Sequence, residues 1–284
     1  MNNFYIITNA QKDSNYEIAN EICGYITKKG AVCSLQHKEA GCGADKYNSA
    51  DVNLIPKGTE CVIVLGGDGT LIQAARDLSL INMPVLGINI GNLGYLTEID
   101  REQSFCAIDK LMADDYTIDK RMILKGTVYR GDKVLYSDIA LNDIVLNRMG
   151  SLRIVDFDVY VNNEFLISYR ADGIIISTPT GSTAYNLSAG GPIVRPQTEC
   201  IVMTPVCPHS LNKGSVVFGG DDVLSIHMTE SRDGVEERVV TFDGCGYNEL
   251  KTGDRILIER ASTYASFVRL GQHNFLQILR NKLS

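Results

Sequence analysis

The hydrophobic period of this chain changes near residue 118, and that change constrains the fold more than any other feature. Up to about Thr117, apolar stretches alternate between strand and helix spacing; from about Lys120 the period becomes two. In the first part Phe4–Ile7 reads as a strand. Residues 15–29 read as a helix with Ile18, Ile22 and Ile26 on one face, stopped by Gly30. A short strand is expected at Val32–Leu35, followed by a polar stretch, residues 39–53, that has no period. Cys61–Leu65 is apolar throughout, the pattern of a strand covered on both faces. A helix over Thr70–Ser79 and a strand over Val85–Ile88 complete a βα alternation, which predicts an open parallel sheet with helices on its faces.

The second part reads as β-rich. Val155, Phe157, Val159 and Val161 alternate with other residues, and Asn162-Asn163 gives a turn. Val223–Met228 and Glu237–Phe242 flank Arg232-Asp233-Gly234, a hairpin signal. Ile256–Glu259 and Tyr264–Leu270 continue the pattern as two further strands. Many short strands of this kind predict a β-sandwich. Phe275, Leu276, Ile278, Leu279 and Leu283 return to helical spacing. The expected organisation is an α/β domain at residues 1–118, a β-rich domain at 119–270 and a terminal helix at 271–284.

Composition narrows the function classes. A chain of 284 residues that is 44% hydrophobic can bury a sizeable core. Its net charge of −7 argues against a nucleic-acid partner, which would call for a basic face. No apolar run reaches the length of a membrane span, and the first residues lack the basic and small-residue marks of a secretion signal. Eight cysteines without a CxxC pair suit reduced thiols in the cytoplasm, and four scattered histidines give a zinc site no support. No residue is assigned as a metal ligand.

Three stretches carry polar groups where packing alone would not put them. Gly66-Gly67-Asp68-Gly69 joins the apolar strand to the next helix. Such a turn lets backbone approach a phosphate, with the free N–H groups of the helix start aimed at it. An Asp there suits a proton acceptor or a metal ligand, and the competing reading is a helix cap. There is no GxxxxGK[ST], and no GxGxxG after the first strand. Residues 169–192, YRADGIIISTPTGSTAYNLSAGGP, interleave hydroxyls with glycines around a helix-like 184–189. Their donors suit sugars, bases and phosphates, whereas a decorated turn is the bland alternative. Asn142-Asp143 interrupts the apolar run ALNDIVL, which suits either recognition of a base edge and a ribose diol or a β-bulge.

Together these stretches resemble the NAD kinase family. The motifs run in family order from residue 66 to residue 244: Gly66–Thr70, Gly87–Leu96, Asn142-Asp143, Arg170–Gly191, Thr204–Leu211 and Phe242-Asp243-Gly244. Gly-Gly-Asp-Gly-Thr is also shared with lipid kinases and, more loosely, phosphofructokinases; the Asn-Asp pair and the Thr-Pro-Thr-Gly-Ser-Thr-Ala-Tyr loop single out NAD kinases. The resemblance implies transfer of the γ-phosphoryl of ATP to the 2′-hydroxyl of the adenosine ribose of NAD, with a divalent metal, Mg²⁺. It implies a Rossmann-like α/β domain, a C-terminal β-sandwich, and a last helix that packs back on the first domain. It implies a homo-oligomer, dimer or tetramer.

By the same resemblance Asp68 is the proton acceptor, and Gly69 lines its pocket with Tyr95 closing it. Asn142 and Asp143 hold the nucleoside, and Arg153 and Arg170 bring positive charge to phosphates. Asp172, Thr180, Thr183, Ala184, Tyr185, Asn186, Leu187 and Ser188 complete the NAD site. The chain departs from the family at Asp143 (usually Glu), Tyr95 (often Phe) and Cys245 (usually Gln). A lipid kinase would lack the Ser182–Tyr185 loop, and a non-catalytic dinucleotide sensor would have no need of Asp68.

Overall fold

The computed structural model describes residues 1–36, 50–91, 94–97, 99–149, 154–209, 214–230, 238–271 and 275–283. They divide into two compact units, one of residues 1–120 with 265–284 and one of residues 121–264. Most of the polar stretch expected at 39–53 lies outside the described residues.

In the first unit β1 (Asn3–Thr8), α1 (Glu17–Lys28), β2 (Val32–Leu35), β3 (Cys61–Gly66), α2 (Asp68–Ser79), β4 (Val85–Asn89), β5 (Ile99–Asp100) and α3 (Ser104–Met112) follow one another. The strand order is β2-β1-β3-β4, and the pairs are parallel. β5 lies parallel beside β4, and Phe267, near the chain's end, pairs in parallel with Val85. All six residues of β3 are buried, as a strand covered on both faces requires. On one side Phe4, Ile6, Ile63, Leu65 and Ile88 pack with Ile22 and Ile26 of α1 and with Ile108 and Leu111 of α3. α2 buries Leu71, Ala74, Ala75 and Leu78. Because β2 lies on one side of β1 and β3 on the other, the connections leave the sheet in opposite directions there. Open α/β sheets bind ligands in the crevice outside the carboxyl ends of their strands at such a reversal, here between β1 and β3.

The second unit is an antiparallel sandwich. After β6 (Thr117–Arg130) come β7 (Lys133–Ala140), β8 (Asp143–Arg148), β9 (Val155–Val161), β10 (Glu164–Ala171) and β11 (Gly173–Ser177). A four-residue helix, α4 (Tyr185–Ser188), precedes β12 (Cys200–Val206), β13 (Val216–Gly219), β14 (Leu224–Met228), β15 (Arg238–Phe242), β16 (Cys245–Leu250) and β17 (Asp254–Arg269). One sheet runs β10-β9-β14-β17-β6-β7, the other β13-β12-β11-β8-β15-β16. Leu124, Phe157, Val159, Ile226 and Ile256 of the first sheet and Ile144, Ile174, Met203 and Phe242 of the other share one core. The terminal helix is α5 (Phe275–Leu283).

Two local expectations change. β14 and β15 do not form a hairpin: β14 pairs with β9 and β17, whereas β15 pairs with β8 and β16 in the other sheet. The two strands expected at 256–270 are one strand, β17, which runs unbroken from Asp254 to Arg269. The Asn162-Asn163 turn stands, with φ of 51° and 69°, both left-handed as the tightest hairpin turn needs.

Candidate active site

In the first unit the glycine turn opens α2. Gly66 is bare because a Cβ there would sit 2.7 Å from the Cβ of Thr70. Asp68 begins the helix and does not cap it; Gly67 is the N-cap, with no side-chain hydrogen bond. The Asp68 carboxylate instead reaches a loop almost thirty residues on. Its Oδ2 accepts from Tyr95 N at 2.6 Å, and its Oδ1 from Leu96 N, Thr97 N and Thr97 Oγ1 at 3.1, 3.0 and 3.0 Å. A side chain on Gly94 would overlap that carboxylate, so glycine is required there too. Gly69 has open space around it and is exposed. Thus Asp68, Gly69 and Tyr95 are brought together, with Tyr95 engaged through its backbone N–H. Asn92 and Leu93, part of the same family motif, lie outside the described residues.

In the second unit Asn142 and Asp143 do not interrupt a strand; β8 begins at Asp143. Their backbone is fixed by Asp243, whose carboxylate accepts from Leu141 N at 2.8 Å, Asn142 N at 2.7 Å and Asp143 N at 3.2 Å. Asp243 returns a bond from its own N–H to Asp143 O at 3.0 Å. Burial, and then the neighbouring charge of Asp243, push the Asp143 carboxyl up to about 7. The sequence carries Asp243 inside a motif, but only the fold shows it gripping residues a hundred positions earlier.

The hydroxyl loop packs on this same backbone. Thr178 N donates to Asn142 O at 2.8 Å, and Thr178 Oγ1 to Leu141 O at 2.6 Å. Gly181 is bare because a Cβ would run into Asn142 O. Ser182 Oγ donates to Pro179 O at 2.7 Å and accepts from Val194 N at 3.0 Å. Asn186, with no exposed surface, donates to Ser182 O and Pro192 O, each at 3.0 Å, and accepts from Thr204 Oγ1 at 2.7 Å. Much of the loop's polarity therefore holds the loop itself. Thr180 accepts from Arg121 Nη1 at 3.4 Å and Thr183 Oγ1 donates to Thr180 O at 3.4 Å. Tyr185 and Ser188 are exposed, and Ala184 and Leu187 are half-buried.

The charged residues are paired. Arg170 lies 3.4 Å from Asp156, and Asp172 accepts from Arg148 Nε at 2.8 Å. Sequence reasoning passes over Arg148; the cue is a cation at the end of an apolar strand. Arg153 lies outside the described residues. Among the described residues no three His, Cys, Asp or Glu gather as a metal cage.

Known proteins match this arrangement. The ATP-NAD kinase N-terminal domain family matches residues 4–116, and the ATP-NAD kinase C-terminal domain family residues 141–270. The NAD kinase of Lachnospira eligens is 48% identical over 295 aligned positions that cover 100% of each chain. That of Lachnoclostridium phytofermentans is 44% identical, covering 99% of each. The crystal structure of yeast NADH kinase complexed with NADH superposes with a TM-score of 0.84 at 26% identity, over 100% of this chain and 87% of that one. An NAD kinase from Archaeoglobus fulgidus in complex with ATP shares the fold, with a TM-score of 0.76 at 21% identity over 99% and 98% of the two chains. With both domain families matched in order and near-half identity to full-length relatives, this chain belongs to the ATP-NAD kinase family.

Proposed function

We infer that the protein is an NAD kinase, which transfers the γ-phosphoryl group of ATP to the 2′-hydroxyl of the adenosine ribose of NAD to give NADP. Family membership across both domains supports the reaction. The observation that carries the residue assignment is the glycine turn after β3, whose one carboxylate is held rigidly at a ligand-binding crevice. A ribose hydroxyl is a weak nucleophile, and a positioned carboxylate assists by accepting its proton as the bond to phosphorus forms. A carboxylate offers about four acceptor positions, two per oxygen. Oδ1 of Asp68 is filled by three donors, whereas Oδ2 takes one, so we assign the transferred proton to Oδ2.

Asn142, Asp143, Arg153, Arg170, Asp172, Thr180 and residues 183–188 are proposed to bind NAD. Within the loop, Asn186 serves support together with Thr178 and Ser182 outside that group, which favours Thr183, the exposed Tyr185 and Ser188 as the loop's contacts to substrate. We propose that the divalent cation, Mg²⁺, arrives with ATP and offsets phosphoryl charge; a cation held by substrate phosphates needs few protein ligands. Asp68 is already engaged by the 95–97 backbone, which agrees with a cation held chiefly by the nucleotide. A homo-oligomer is proposed as well, supported by the exposed Phe165 and Leu166 at the tip of the β9–β10 hairpin. A cytoplasmic setting suits the buried free thiols of Cys61 and Cys200.

The test is formation of NADP from NAD and ATP. Asp68→Asn should lower kcat by at least about a hundredfold, the lower end of general-base assistance. NADP formed at the normal rate by this variant would remove Asp68 as the base. Tight NADP binding by the wild-type protein with no turnover under ATP and Mg²⁺ would make it a dinucleotide sensor.

A further inference from the structure

The crevice at the ends of β1 and β3 has a second wall. After β1 the chain makes a turn, Asn9–Asp13, in which Lys12 N and Asp13 N both donate to Asn9 O at 2.9 Å. Asn9 fastens that turn to the glycine motif: its N–H bonds Leu65 O at 2.9 Å, and its Nδ2 donates to Thr70 Oγ1 at 3.0 Å. From this platform the Lys12 side chain extends over two glycines. A Cβ on Gly91 would lie 2.5 Å from Lys12 Nζ, and one on Gly67 would lie 3.5 Å away. Gly67 is the N-cap of the twelve-residue helix α2 and supplies no side chain to its free N–H groups. The Lys12 ammonium makes no ion pair among the described residues.

Asn89 gives a separate signal at the same place. It ends β4 opposite Gly66, and only 2% of it is exposed. Its Oδ1 accepts from Gly91 N at 2.8 Å, which sets the amide beside the glycine that Lys12 covers. Its Nδ2 has no hydrogen-bond partner among the described residues, and a buried donor left unsatisfied is costly. A helix start, an ammonium, a buried N–H donor and bare glycines converge here. The neighbouring Asp68 charge is turned to the 95–97 backbone. This is the donor set for an anion of several oxygens.

We propose that Lys12, together with the Asn89 amide, holds the phosphate chain of the phosphoryl donor at the start of α2. The proposal rests on the kinase reading above and adds Lys12, which no sequence motif marks, and a role for Asn89, which the Gly87–Leu96 motif contains without a role. An ammonium on a phosphate oxygen is a charge-assisted bond, so its loss should raise the KM for ATP about tenfold to a hundredfold.

The experiment pairs kinetics with binding of inorganic tripolyphosphate, read as the rise in melting temperature of the apo protein. Lys12→Ala should raise the KM for ATP and leave that for NAD within about twofold, and should abolish the tripolyphosphate shift. Lys12→Arg should restore most of both, and Lys57→Ala, an exposed lysine elsewhere in the unit, should change neither. Asn89→Asp keeps the acceptor for Gly91 N but replaces the donor with a carboxylate, and should also abolish the shift. An unchanged KM for ATP in Lys12→Ala, or a full tripolyphosphate shift in either variant, overturns the proposal. Because tripolyphosphate binding needs no turnover, a wild-type protein that binds it through Lys12 yet makes no NADP would sink the kinase reading while leaving this site standing.

Discussion

The Gly66–Thr70 turn of the α/β unit and the Thr178–Asn186 loop of the sandwich are each rich in glycine and polar groups, yet they use them differently. In the turn and the 94–97 loop that meets it, glycine makes room for the side chains of other residues. Thr70 fills the space over Gly66, Lys12 that over Gly67, and Asp68 that over Gly94. In the loop, glycine and hydroxyls serve the loop. Gly181 lies against Asn142 O, and Thr178, Ser182 and Asn186 bond the backbone around them. Density of donors therefore does not measure exposure to a ligand. A buried hydroxyl must find a partner, and the nearest backbone carbonyl usually supplies it.

The largest effect expected from this contrast is where the turn's Asp68 meets the 94–97 loop. Gly94→Ala places a methyl inside the Asp68 carboxylate and should break its bonds to residues 95–97. Turnover should fall at least about a hundredfold, the scale of losing the base, with a lower melting temperature. Gly69→Ala, with open space around the position, should keep the melting temperature. Equal thermal effects at the two positions would erase the distinction between glycines that make room and those that do not.

The loop should divide by burial. Asn186→Ala strands the partners Ser182 O, Pro192 O and Thr204 Oγ1, and should cost about 1–3 kcal/mol of stability. That corresponds to roughly 2–4 °C in Tm per kcal/mol for a domain of this size. Tyr185→Ala, at an exposed ring, should raise the KM for NAD with little change in Tm. If thermal scans show the reverse pattern, the loop's supporting and contacting residues have been exchanged.

A smaller effect should follow pH. Asp143 has a folded value of about 7 against an ordinary 3.8, so between those limits the folded chain keeps a proton that the unfolded chain has released. Stability from this group is full below about pH 4 and is lost as pH rises through 7. Asp143→Asn removes that loss. The Tm difference, variant minus wild type, should grow between pH 5 and pH 8, and a flat difference would mean that Asp143 ionises in the fold as it does in water.

Much of the first unit is legible in the sequence because its signals are local. An all-apolar run followed by glycines reads as a buried strand and a turn wherever it occurs. The partners of that turn are not legible, since Tyr95, Leu96 and Thr97 reach Asp68 only through the parallel sheet. Lys12 escapes a sequence reading although it stands in a turn after the first strand, where opposed connections place a crevice. The role of Asp243 is equally hidden, because three donors from residues 141–143 find it only when β15 lies beside β8. The apparent hairpin at 223–242 misleads for a related reason. Period and turn residues report each strand, whereas the choice of sheet depends on which core face each can fill.

Arg269 connects residues that follow the sandwich to the turn that precedes it. Its Nη1 donates to Leu96 O at 3.3 Å, and Leu96 N in turn bonds Asp68. Phe267 two residues earlier supplies a neighbour for β4, and Lys110 reaches Leu270 O at 2.9 Å. During synthesis, then, the glycine turn and the 95–97 backbone that holds Asp68 emerge early, but the support that Arg269 gives Leu96 waits until the sandwich has been made. A growing polypeptide released at residue 120 would keep β5 beside the end of β4 but leave Val85 without its Phe267 neighbour, a stretch of edge open to other chains. Completion of the first unit is thereby tied to passage through the second, so that a chain cut at residue 120 keeps the Asp68 bonds to residues 95–97 but lacks the Arg269 bond behind them.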